Sequence, residues 1–232
     1  MDRTIACLKW GNKYSPHYVN VLYNMCRRHN SEYFNFICFT DNSDGLDKEI
    51  IIKSLPNSSL HGWWYKPFVF CKENNIKGTV LFLDLDVIVY DNIDKLWNYR
   101  KNDFLIIRDF TKHMNPAWDK FNSSVFRFEA DNCYWIWEKF YKEKTQIMSK
   151  MHGDQDYLYS ILKNNAFHWP DNWIQSYKWE MRDKHDIILI DGKRNFKDIK
   201  DPKLTEECSI AVFHGEPNPH EVKDPWVIKN WK

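Results

Sequence analysis

The chain has 232 residues, with 33 Lys and Arg against 32 Asp and Glu, for a formal charge of +1. Aromatics make up 17% and glycine only 7 residues, which excludes a disordered, collagen-like or Gly/Ser-rich chain. The balanced charge excludes bulk attraction to nucleic acid or anionic lipid as its main business, and a mean hydropathy of −0.66 with no run of about 18 apolar residues predicts no spanning helix.

One domain over residues 1–232 is expected, since a chain of this length can bury one large core. The opening MDRTIACLKWGN has too short an apolar stretch for a signal peptide, so the protein is expected in the cytoplasm. Its cysteines (Cys7, Cys26, Cys38, Cys71, Cys133 and Cys208) form no CxxC or zinc spacing and mostly sit beside apolar residues. They read as reduced, buried thiols.

Residues 4–8 read as a strand. Ser15-Pro16 opens a helix to about residue 28, with Val19, Leu22, Tyr23 and Cys26 on its apolar face. Residues 33–40 are a buried strand closed by the turn Asp41-Asn42-Ser43-Asp44-Gly45, and 49–55 another strand. A helix over 64–73 leads to 79–84, the most apolar strand in the chain. This strand–helix–strand alternation predicts a parallel sheet covered by helices. Further strands are expected at 103–108, 124–128, 186–190 and 209–213, with helices at 131–150 and 155–163. The tail 214–232 carries enough aromatic surface to dock rather than fray.

The strongest chemical feature is Phe82-Leu83-Asp84-Leu85-Asp86. In an extended strand residues i and i+2 share a side, so both acids face one point at the strand's carboxyl end, where ligands bind in open α/β sheets. Two convergent carboxylates repel unless a cation lies between them, and oxygen donors suit Mg²⁺ or Mn²⁺. The bland alternative is a surface turn with two solvated acids. His214-Gly215 follows a strand and suits a metal or phosphate contact, although a lone histidine is more often structural. Gly153-Asp154-Gln155-Asp156 precedes a helix, where aspartate is also an ordinary N-cap. Gly62-Trp63-Trp64-Tyr65-Lys66 is either core or a stacking wall with a lysine at its end. Phe121-Asn122-Ser123-Ser124 offers small polar groups to ligand hydroxyls but equally suits a plain turn.

In chain order these residues resemble a GT-A-fold glycosyltransferase, nearest to glycosyltransferase family 8 and its bacterial and viral relatives. Leu83-Asp84-Leu85-Asp86 is similar to the family's DxD; Asp91-Asn92-Ile93-Asp94-Lys95-Leu96-Trp97 resembles its D-I-x-x-L-W segment; Phe121-Asn122-Ser123-Ser124 resembles FNSG. Asp154-Gln155-Asp156 matches DQD, Val212-Phe213-His214-Gly215 resembles the C-terminal histidine motif, and Asp224-Pro225-Trp226 faintly resembles KPW. One DxD is a weak signal; five motifs in order are a strong one.

The resemblance implies an α/β GT-A (Rossmann-like) fold with a mixed, mostly parallel central sheet flanked by helices. Residues 1–100 would form its nucleotide-binding half and 101–232 its acceptor and donor-sugar half. It implies a nucleotide-sugar donor, UDP-linked above all, and a Mn²⁺ or Mg²⁺ ion held by Asp84, Asp86 and His214, with Asp84 also touching the ribose. Lys9, Asn12 and Tyr14 would form the nucleotide pocket, Tyr14 by base stacking. Lys66 would approach the phosphates or donor sugar, and Gly215 a phosphate through its N–H. Ser123, Asp154 and Gln155 would face the donor sugar and reacting carbon. Retention of anomeric configuration is implied too; no residue in the sequence itself decides it. The acceptor is left open between a glycan, a lipid-linked sugar, a protein and a modified nucleobase. The family's lysine after the histidine is replaced by Glu216-Pro217-Asn218-Pro219, leaving Lys178 or Lys223 to substitute. Two rivals stand beside this reading. A haloacid-dehalogenase-type phosphatase also uses DxD, but normally on its first strand and followed by Gly-Thr. A non-catalytic carbohydrate-binding protein would use the tryptophans, with Ca²⁺ on the acids.

Overall fold

The computed structural model describes residues 2–182, 187–190, 193–196 and 202–232, the strands 187–190 and 193–196 by their backbone alone. The first strand, β1 (Arg3–Lys9), alternates strictly: Ile5 and Cys7 enter one core cluster and Ala6 the other. Alternation into two apolar clusters means both faces are covered. On one face lies α1 (Pro16–His29), with Pro16 opening its first turn and Arg27, Arg28 and His29 against the negative end of its dipole. β2 (Asn35–Thr40) and β3 (Ile51–Ser54) follow, both parallel to β1. The chain then returns to the other side of β1 to form β4 (Thr79–Leu83), also parallel to it. The reversal leaves a crevice at the carboxyl ends of β1 and β4, the place where such sheets bind ligands.

After β4 the chain leaves the main sheet through β5 (Val87–Val89) and α2 (Asp94–Asn98), then rejoins it as β6 (Phe104–Arg108) and β7 (Phe121–Glu129). β7 runs antiparallel between β4 and β6. α3 (Ala130–Lys150) and α4 (Asp154–Leu162) cover the second face, and β8 (Ala166–His168) closes the edge in the order β3-β2-β1-β4-β7-β6-β8. Cys133, Ile136, Trp137, Phe140 and Ile147 form the buried stripe of α3, at helical spacing. Burying each of its large side chains contributes about 1.5–3 kcal/mol. A second sheet orders β5, β12 (Ile210–Val212) and β9 (Ile174–Ser176), while β10 (Ile187–Ile190) and β11 (Lys193–Phe196) form an antiparallel pair. The strand expected over 186–190 is therefore present from Ile187; Asp186 lies outside the described residues.

Two expectations change. The helix expected over 64–73 is a run of 3₁₀ turns at Gly62–Phe70 and Lys72–Asn74, with Pro67, which has no N–H to give, inside the first. The acids Asp84 and Asp86 lie in a turn between β4 and β5, not on an extended strand, so the turn, and not period-two alternation, brings them to one side. The expectations for the cysteines and for the tail are met. All six cysteines are free and buried. The tail docks through α5 (Pro225–Asn230): Val227 and Asp224 are fully buried, and Tyr177 donates a hydrogen bond to Asp224 Oδ2. Among the described residues no helix is long and apolar enough to cross a membrane.

Arg127 on β7 is wholly buried without a carboxylate partner at ion-pair distance among the described residues. Its guanidinium donates to the carbonyls of Leu96 (2.7 Å), Tyr99 (2.6 Å) and Arg100 (2.6 Å), tying down a turn in which Arg100 and Asn102 take positive φ. Truncating it strands the buried Leu96 acceptor, at about 1–3 kcal/mol, and frees the partly buried Tyr99 and Arg100 acceptors at a smaller cost. Arg127→Ala is therefore expected to lower the urea-unfolding free energy by about 3–5 kcal/mol, with Arg127→Lys recovering only part because its ammonium lacks the fork. A loss below about 1 kcal/mol would show that the turn holds itself.

Candidate active site

A cavity of about 340 Å³ opens at the carboxyl end of β4. Its walls come from segments far apart in sequence: Trp63 and Lys66, Asp84 and Asp86, the strand start at Asn122 to Ser124, the α4 entry from His152 to Asp156, and His214 with Gly215. Sheet pairing explains the convergence. Asp84 N–H donates to Ser124 O at 2.8 Å, prolonging the β4–β7 ladder, and Phe213 N–H donates to Asp86 O at 2.9 Å, prolonging β5–β12. The β6–β7 register jumps between Ile106 and Ile107, so residues 123–125 drop out of that ladder. Bulges of this kind commonly re-aim side chains beside sites.

Lys66 lies at the centre. Its ammonium is buried and sits 2.9 Å from Asp84 Oδ1, 3.1 Å from Ser123 Oγ and 3.5 Å from Asp154 Oδ2. Burial works against its charge, but Asp154, Asp84 and Asp86 together outweigh it and hold its pKa above the usual lysine value. Asp154 is the first residue of α4, behind Gly153 at the N-cap, and its carboxylate turns inward to Lys66 instead of capping the helix. The N-cap reading therefore fails here. Asp154 Oδ2 has the ion pair but no hydrogen bond, and burial pushes its carboxyl up against the pull of Lys66 and Ser123.

Asp86 is buried beside Asp84. Burial first, then its neighbour's charge, pushes its pKa up to about 6. Tyr14 donates its hydroxyl to Asp86 Oδ2 at 3.2 Å, while its ring packs on Tyr18 (4.7 Å) with Lys13 Nζ 4.8 Å from the centroid. Of the expected nucleotide-pocket residues, Tyr14 alone reaches the acids. Lys9 is buried, with its ammonium 3.5 Å from Gly11 O, and Asn12 is exposed outside the cavity.

His214 is held from two sides. Phe110 stacks on it at 5.0 Å and 14°, and Ser176 Oγ lies 2.7 Å from Nε2, brought there because Ser176 on β9 registers with Val212 on β12. Burial and the nearby Lys178 lower its pKa to about 4, so the ring is neutral and keeps a lone pair. Lys178 donates to the carbonyl of His214, and its Nζ stands 3.3 Å from where a Cβ on Gly215 would lie. Of the two lysines expected to substitute, Lys178 lies beside His214 and Gly215, and Lys223 is exposed. Ser176 and Phe110 were not singled out for this role from sequence: the first acts only through strand pairing, and nothing local marks the second.

The donor set fits a divalent cation in its chemistry: two carboxylates with excess negative charge, and a neutral imidazole whose Nδ1 has no hydrogen bond among the described residues. The ligands are not already gathered. Among the described residues no three His, Cys, Asp or Glu side chains form a metal-ready cluster; Asp84 is paired with Lys66, Asp86 accepts from Tyr14, and His214 contacts Ser176.

No protein-family model matches this chain, and no curated protein matches it in sequence. Solved structures do match it. An active-site mutant of LgtC is similar over 97% of this chain and 93% of its own, with a TM-score of 0.67 and 14% identity. The galactosyltransferase LgtC in complex with donor and acceptor sugar analogs is similar over 93% and 88%, with a TM-score of 0.62 and 15% identity. Glycosyltransferase GlyE of Streptococcus pneumoniae TIGR4 is similar over 74% of this chain, which spans 46% of GlyE, with a TM-score of 0.59 and 17% identity. The chain has the GT-A glycosyltransferase fold: a mixed, mostly parallel seven-stranded sheet flanked by helices.

Proposed function

We propose that the protein is a metal-dependent glycosyltransferase that moves a sugar from a nucleoside diphosphate, UDP above all, to an acceptor hydroxyl with retention. The observation that carries this reading is the meeting of the DxD acids, Lys66, Ser123, Asp154-Gln155 and His214-Gly215 around one cavity at the switch point of the sheet. In this reading Asp84, Asp86 and His214 hold Mn²⁺ or Mg²⁺, which when bound supplies Lewis-acid neutralisation of the leaving diphosphate. Lys66 brings a second positive charge to the same side, already oriented by Asp84 and Ser123. Lys178, which follows β9 and donates to the His214 carbonyl, and the Gly215 N–H would face the diphosphate. Asp154 and Gln155 face the sugar, where a carboxylate stabilises the positive charge that grows at the anomeric carbon. Tyr14, at Asp86, is the nucleotide-side contact.

The test is a panel of UDP- and GDP-sugars with Mn²⁺, read as free nucleotide. Slow release without acceptor, abolished by chelation, is expected. No release from any donor overturns the reading, and hydrolysis of a phosphate monoester with a phospho-Asp84 adduct would replace it with the phosphatase.

A further inference from the structure

Trp63 and Trp64 are adjacent in sequence and opposite in fate. Trp64 is 4% exposed and stacks on Phe140, whereas Trp63 keeps 56% of its surface exposed and lines the cavity. A single exposed indole is ordinary on a protein surface; this one is set apart because it lines the cavity. That position is built. Gly153 has an extended φ of −173°, which any residue adopts, so its backbone does not call for glycine. A Cβ there would instead stand 3.2 Å from Trp63 Nε1 and 3.3 Å from Cδ1. Gly153 thus lets the indole edge lie against the start of α4, one residue before Asp154. Trp63 Nε1 makes no hydrogen bond among the described residues and is free to donate.

Burial rises inward along this wall, from exposed Trp63 through half-buried Gln155 to buried Asp154. The inner groups face the donor sugar in the reading above, on which this inference rests, so the rim faces the molecule arriving from solvent. We propose that Trp63 is the acceptor platform and that the acceptor is a pyranose. Its apolar C–H face would lie on the indole while its edge hydroxyls meet Nε1–H, His152 and Gln155; an amphipathic ring suits a ligand apolar on one face and wet at its edges.

The experiment compares wild type, Trp63→Ala and Trp63→Phe with Mn²⁺ and the donor that wild type cleaves. Nucleotide release is measured alone and with methyl β-glycosides of glucose, galactose and N-acetylglucosamine as acceptors. The expected result is transfer by wild type, with Trp63→Ala raising acceptor KM by about tenfold more than it slows acceptor-free release, and Trp63→Phe recovering most of that loss. Equal losses in the two modes, an unmoved acceptor KM, or transfer to a phenol but to no glycoside would each overturn the platform while leaving the transferase reading intact. Failure of wild type to cleave any donor would overturn both.

Discussion

Asp86→Asn is expected to stabilise the ligand-free protein above pH 6 while removing donor cleavage. Asp86 is buried, its pKa lies near 6 against 3.8 for a free aspartate, and burial with the adjacent Asp84 is the cause. A carboxyl whose folded pKa is raised costs stability where it is ionised. Below about pH 4 both folded and unfolded chains hold the proton and the cost is absent. Between about pH 4 and 6 the folded chain keeps a proton that the unfolded chain has lost, so stability falls as pH rises; above that window the full cost, about 3 kcal/mol, is present. Asparagine keeps the shape and the acceptor for Tyr14 without the charge. Urea unfolding across pH should therefore show Asp86→Asn gaining up to about 3 kcal/mol at pH 8 and nothing at pH 3.5. Mn²⁺ should raise the midpoint of wild type alone. Donor cleavage should fall about a thousandfold, the equivalent of several kcal/mol of lost cation charge. A variant that tracks wild type at every pH, or that cleaves donor normally with Mn²⁺, would remove Asp86 from the role given to it. The combination of a stability gain with lost activity is what a site built from mutually repelling groups should show.

The parts of this site differ in how far the sequence reveals them. α1 is legible because its apolar residues recur at helical spacing, β1 and β4 because they are short apolar runs, and the DxD because the apolar β4 runs into two acids. β5, β8 and β9 escape because three residues cannot display a period, yet β9 is what carries Ser176 to His214. The run 64–73 reads as a helix; Pro67 sits inside what is a 3₁₀ stretch over Gly62–Phe70. Nothing in the pair Trp63-Trp64 says which indole is core, because that depends on α3 and Gly153, far along the chain. Asp154 likewise reads equally as an N-cap or as a site residue until the fold brings Lys66 to it.

Lys66→Met is expected to have the second large effect, and its pH dependence runs the other way. Lys66 is buried and is the cation shared by Asp84 and Asp154, with Asp86 also adding to its pull. Its folded pKa is raised above 10.5, so its stabilisation is fully present below that pH and is lost as pH rises through the higher folded value. Removing it leaves buried carboxylates uncompensated, which costs about 3–5 kcal/mol near neutrality. That deficit should narrow as pH falls and the carboxylates take up protons, so the stability gap between variant and wild type is widest from pH 7 to 9 and smallest near pH 4. The hydrophobic pair Lys66→Met with Asp154→Leu should recover more than half of the loss, because it removes a buried charge together with its partner. It should not recover donor cleavage, since both positions face the donor in the proposed reading. Should the double variant prove no more stable than Lys66→Met, the contact between Lys66 and Asp154 at 3.5 Å would carry little of the lysine's worth, and the coupling would lie with Asp84 at 2.9 Å instead. Asp84→Asn in the Lys66→Met background then separates the two, since only the true partner's removal should relieve the deficit.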